Sequence, residues 1–141
     1  MTLLDAPAYD ARRAHQRKVL GIVIAIVVVA AIVGVLYWPR YQARNTVDHF
    51  FQAIMRKNYQ EAYAIWQANP QQYPMDAFMR DWGPSGEWGI IKTFHIDQLG
   101  LPPGGHASGL VALVTINGIA ADQARIWIQN GSHSLSFYQL F

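Results

Sequence analysis

The chain contains no cysteine, which excludes disulfide staples and thiolate metal centres and leaves packing as the only means of holding a folded domain together. Charge is scarce as well. Asp, Glu, Lys and Arg make up 14% of the sequence, and none of them falls between Val19 and Trp38. Signatures of catalysis are missing too: there is no H-E-x-x-H, no histidine pair four residues apart, no G-x-S-x-G, and no glycine-rich loop placed between a strand and a helix. Nor is there a basic cluster beyond the first 44 residues that could neutralise phosphates, which excludes nucleic acid as a partner.

What is present first is one long apolar run. Val19 to Trp38 (VLGIVIAIVVVAAIVGVLYW) forms a helix that, at about 1.5 Å per residue, crosses a hydrocarbon core of roughly 30 Å. Arg12, Arg13, Arg17 and Lys18 precede it, and only Arg40 and Arg44 follow closely. That bias predicts a cytoplasmic tail (1–18), a transmembrane helix (19–38), a juxtamembrane linker (39–44) and an extracytoplasmic domain (45–141). A cleaved signal peptide is disfavoured, because the run exceeds an h-region of about 7 to 15 residues and the small residue Ala43 has bulky Tyr41 two positions before it. Tyr37 and Trp38 suit an interfacial aromatic belt. Residues 1–44 carry six basic against two acidic residues, a net +4, and residues 45–141 carry five against seven, a net −2. The basic character is therefore a topology signal.

In the extracytoplasmic part, Asn45 is placed to cap a helix with one apolar face, Val47, Phe50, Phe51, Ile54 and Met55, ending at Asn58 in a left-handed conformation. The same spacing recurs in Tyr59, Ala62, Tyr63 and Trp66, and again in Met75, Phe78, Met79 and Trp82. These aromatic stripes read as core, with Trp66 and Trp82 structural. Past Gly83-Pro84-Ser85-Gly86 the period changes from 3.6 to 2, predicting strands at Ile90 to Asp97, Gly109 to Asn117, Gln123 to Gln129 and Ser134 to Leu140. Asn130-Gly131 predicts a tight type I′ hairpin and Asn117-Gly118 a looser connection. Leu110 to Val114 is apolar on both faces, predicting a central strand covered on both sides. Leu101 to Gly105 is read as a surface loop.

Val47, Phe50, Phe51 and Ala53, followed by Asn58, Tyr59, Ala62, Tyr63 and Trp66, give residues 45–141 a resemblance to nuclear transport factor 2-like domains, a cystatin-like α+β cone. The resemblance implies three helices packed on a four-stranded antiparallel sheet. The Pro-bounded segment Asn69 to Tyr73 departs from it, since many members place a short strand there. The layout as a whole resembles small bacterial envelope proteins and the inner-membrane scaffold subunit of type IV secretion systems. That implies a bacterial inner-membrane protein with a periplasmic domain.

Enzymes on this fold use polar residues deep in the cone, so Asp48, His49, Tyr63, His95, Asp97, His106, Asp122 and His133 are the residues to weigh. Only Tyr63, His95 and Asp97 form a pocket candidate; His95 and Asp97 share a strand face about 6.6 Å apart, within reach of a bridging water. No set is spaced to hold a metal or a cofactor, and none is expected. Small residues in the apolar run, Gly21 with Ala25 and Ala30 with Gly34, lie one turn apart on two sides of the helix, the spacing for close helix contact. The expected function is a non-enzymatic accessory, assembly or scaffold subunit of an integral-membrane complex in the lipid bilayer, of respiratory, photosynthetic or secretion type. The alternative is a membrane-anchored pocket domain that binds or transforms a small apolar ligand.

Overall fold

The protein, seen in a computed structural model, is described over residues 11–67, 69–104 and 108–138. It forms two compact units, one ending at Tyr37 and the other running Trp38–Phe141.

In the first unit every described residue lies on helix α1 (Ala11–Met55). This helix is long and apolar enough to cross a membrane, and every residue from Val19 to Trp38 is exposed. The run is a candidate membrane span.

The break expected at Pro39 and the fresh cap expected at Asn45 do not occur, and 39–44 is helical. Pro39 cannot donate to the carbonyl of Val35, a defect that costs roughly 3 kcal/mol inside a helix. Against it stands an apolar stripe that begins earlier than Asn45: Ala43, Val47, Phe50, Phe51 and Ile54 are all buried. A fully buried Val or Phe contributes about 1.5 to 3 kcal/mol, so keeping the stripe in one helix outweighs the missing bond. Met55, expected on that face, is 41% exposed.

The second unit continues with α2 (Tyr59–Trp66) and α3 (Met75–Trp82), then strands β1 (Phe94–Gly100), β2 (Gly109–Ile116), β3 (Gln123–Gln129) and β4 (Leu135–Phe137). The strands form one antiparallel meander in the order β1-β2-β3-β4. With the C-terminal part of α1, three helical segments and a four-stranded sheet make a small α+β domain, as the pattern predicts. Lys57, not Asn58, takes the left-handed conformation after α1. Asn58 instead caps α2: its side chain accepts from the Glu61 amide and donates to the Glu61 carboxylate, a reciprocal capping arrangement.

One face of the sheet and the helices share a single core. Ile96, Leu110, Ala112, Val114, Ile116, Ala124, Ile126, Ile128 and Leu135 supply the sheet side. The helices supply aromatic rings. Trp82, fully buried, meets Phe50 edge-on at 5.0 Å and Phe51 at 5.7 Å, and stacks on Phe137 at 5.6 Å with planes 2° apart. Trp66, 2% exposed, lies 5.1 Å from Phe50 and 5.1 Å from Phe137. Both tryptophans are core, as expected.

Asn117-Gly118 opens the looser connection expected of it, five residues between the hydrogen-bonded Ile116 and Asp122, whereas Asn130-Gly131 does not form the tight type I′ turn expected there. Asn117 and Gly118 both have positive φ, and the Ile119 amide donates to the Ile116 carbonyl, the type I′ pattern. At the second pair only Gly131 is left-handed; Gln129 bonds Ser134 across a four-residue loop in which His133 also takes positive φ. The difference lies in what Asn117 holds. Its carboxamide oxygen accepts from the amides of Lys92 and Thr93, and its amide group donates to the Ile90 carbonyl. These bonds tie 90–93 down as an irregular tether, so β1 begins at Phe94 instead of Ile90.

Candidate functional site

Alternation places a second set of side chains on the sheet face turned away from the helices. On β2 these are Val111, Leu113 and Thr115, all half-buried, whereas both faces of this strand were expected to be covered. The described residues of the chain supply no second layer here, so an apolar strand face is left partly open. Register aligns Val111 with Trp127 and Leu113 with Arg125, and Tyr138 donates its amide to the Arg125 carbonyl. Trp127 and Tyr138 stack with planes 16° apart. Gly109 makes this possible, because a Cβ there would lie 2.5 Å from the Trp127 ring and 2.3 Å from the Ile128 carbonyl oxygen.

Beside the stack lies a groove of about 580 Å³, with Val111 and Leu113 as its floor and Leu101, Pro103 and Tyr138 as its walls. Arg125 and Gln98 are its polar lining residues. Arg125 is exposed, and its guanidinium has no hydrogen bond or ion pair among the described residues. The sequence reading missed Arg125, Trp127 and Tyr138 as site residues. The alternation in Gln123-Ala124-Arg125-Ile126-Trp127 already placed Arg125 and Trp127 together on one face, but their neighbours on β2 follow from register alone.

The other end of the same face is polar. His95 Nε2 lies 4.0 Å from Asp97 Oδ1, within reach of an ion pair. A bulge falls here: Ile96 pairs with Val114 and Gln98 with Leu113, leaving Asp97 as the extra residue. Asp97 accepts from the Thr115 hydroxyl and from the Gln123 amide. The His95 side chain is 76% exposed. This is a solvated surface network with no enclosed position for a reacting group.

Tyr63 is not part of it. Its ring meets Phe78 at 5.3 Å, and its hydroxyl donates to the Tyr73 carbonyl at 2.7 Å. The three pocket candidates therefore do not share a pocket. Tyr73 in turn donates to Asp81, and burial, followed by that hydrogen bond, pushes its phenol well above the usual tyrosine range. Among the described residues no polar or charged side chain is buried between helices and sheet, and no group of three or more His, Asp or Glu is placed to hold a metal. The Nε1 atoms of Trp82 and Trp88 are the buried side-chain polar atoms without a partner among the described residues.

Of the remaining polar residues, Asp48 accepts from Gln52 one helical turn later, His49 and Asp122 are exposed, and His133 serves a turn. His106 lies outside the described residues. In the first unit Gly21, Ala25, Ala30 and Gly34 are all exposed, and a Cβ at Gly21 or Gly34 would meet nothing within 4 Å.

No protein-family model, no curated protein and no solved structure matches this chain.

Proposed function

We propose that the protein is a non-enzymatic accessory or assembly subunit of a larger integral-membrane complex, joined to it through the apolar helix. The observation that carries this reading is the state of that helix. Its twenty uncharged residues are exposed, and two pairs of small residues on opposite sides offer open faces where another backbone can approach. Lipid anchoring alone requires only bulky apolar residues. The domain supports the same reading, because its interior is filled with aromatic rings and, among the described residues, no buried polar side chain is there to act on a substrate.

The charge asymmetry around the span supports a cytoplasmic N-terminus and a periplasmic sheet domain in a bacterial inner membrane. Helices followed by a meander support the nuclear transport factor 2-like reading of residues 45–141, with the cone closed by its own rings. The complex is of respiratory, photosynthetic or secretion type.

The test is purification of the tagged chain from native membranes in mild detergent. Gly34→Leu keeps the apolarity needed for insertion while filling one small-residue face, and it reduces recovery of the co-purifying complex. His95→Ala with Asp97→Ala leaves recovery unchanged. A normal complex with Gly34→Leu, together with loss of phenotype in the folded double variant, refutes the subunit reading.

A further inference from the structure

We propose that the groove on the outward face of the sheet binds a free medium-chain carboxylate, with the tail on Val111, Leu113 and Leu101 and the headgroup on Arg125. The inference rests on the groove alone and does not depend on the subunit reading. A volume of about 580 Å³ lies within the range of small-molecule sites, roughly 300 to 1,000 Å³. Its floor and walls are apolar side chains from β2, from the loop after β1 and from the residue after β4.

The charge selects the ligand. Arg125 lines the groove together with Leu113, its register partner on β2, and Tyr138, so an exposed cation stands at the edge of an apolar surface. No carboxylate among the described residues pairs with it. Asp97, the outward-facing acid of β1, is engaged by Thr115 and Gln123. A guanidinium presents two parallel N–H donors that match one carboxylate, and such a bidentate pair strengthens where water is partly excluded. A phosphate dianion calls for more than one cation, and Arg125 is the one cation lining this groove among the described residues. A sugar would leave Val111 and Leu113 without apolar contact, and a cationic amphiphile would be repelled. An alkyl chain covers both residues, and each methylene it buries tightens binding about fourfold.

The test uses the full chain in phosphatidylcholine nanodiscs with labelled Val and Leu methyls, titrated with octanoate, decanoate, octanol and octyltrimethylammonium. Octanoate shifts the Val111 and Leu113 methyls to saturation, decanoate does so on the order of tenfold more tightly, and the neutral and cationic probes bind at least about tenfold more weakly. Arg125 is exposed, so Arg125→Leu folds normally; it abolishes the preference for octanoate over octanol, while Arg125→Lys retains part of it. Shifts that do not saturate, equal binding of octyltrimethylammonium, or an undiminished octanoate preference in Arg125→Leu would overturn the assignment. Gly34→Leu leaves octanoate binding unchanged, so the groove and the subunit reading fail separately.

Discussion

Gly100 on β1 pairs with Val111 and Gly109 on β2 pairs with Gln129 in the same sheet, and the structure assigns the two glycines opposite responses to one added methyl group. By propensity alone either change to Ala is stabilising, since glycine inside a strand costs roughly 0.5 to 1 kcal/mol relative to alanine. At Gly100 nothing lies within 4 Å of the new Cβ, and that gain is realised. At Gly109 the Cβ would sit 2.3 Å from the Ile128 carbonyl oxygen and 2.5 Å from the Trp127 ring. The backbone oxygen cannot yield without disturbing the β2–β3 ladder, where overpacking costs about 1 to 3 kcal/mol. The displaced indole also loses its stack on Tyr138, a further 0.5 to 1.5 kcal/mol or so. Set against the propensity gain, Gly109→Ala should destabilise by about 1 to 4 kcal/mol, which for a domain near 100 residues lowers Tm on the order of 5 to 20 °C. Thermal unfolding of the full chain in detergent, carrying Trp38→Phe so that the remaining tryptophans all lie in the sheet domain, is followed by tryptophan emission. Gly100→Ala should melt at or slightly above the parent. A Gly109→Ala variant as stable as the parent would refute the placement of Trp127 over β2, and with it the stack on Tyr138 beside the groove.

Trp66→Ala removes a ring packed among Phe50, Trp82 and Phe137 and should cost about 3 to 5 kcal/mol; a loss under about 1 kcal/mol in denaturant titration would show that the ring is not core. Tyr73 has a folded pKa raised above the ordinary value of 10.0, so the stability it contributes is present below pH 10 and declines as pH rises above it. Tyr73→Phe cannot ionise, so the stability advantage of parent over variant should narrow with pH above 10, and a constant gap in alkaline denaturation curves would contradict the burial. Replacing Arg12, Arg13, Arg17 and Lys18 together by Gln should scramble the orientation of a reporter fused after Phe141 that is active only outside the cytoplasm; undiminished export would remove the charge argument for topology.

The sequence by itself determined the parts of this protein that rest on local periodicity and composition. Val19 to Trp38 reads as a candidate span because its length and the absence of charge are visible in the sequence alone. The faces of α2 and α3 and the strands of Gly109 to Ile116 and Gln123 to Gln129 were legible for a related reason: spacings of 3.6 and 2 set which side chains share a surface before any tertiary contact exists. Local signals failed where a distant partner outbid them. Pro39 does not end α1, which runs on through 39–44 and carries Ala43 into the core; Ile90 does not open β1, because Asn117, far along the chain, claims the backbone of 90–93. Asn117 takes the I′ conformation for the same reason, while the equally suitable Asn130-Gly131 does not. The site was least legible of all. The composition of β2 announces two apolar faces, but only the tertiary structure decides that the core covers one and leaves the other partly open. Only register brings Leu113 to Arg125 and Val111 to Trp127, because strand pairing is a property of two segments and no pattern within either one encodes it.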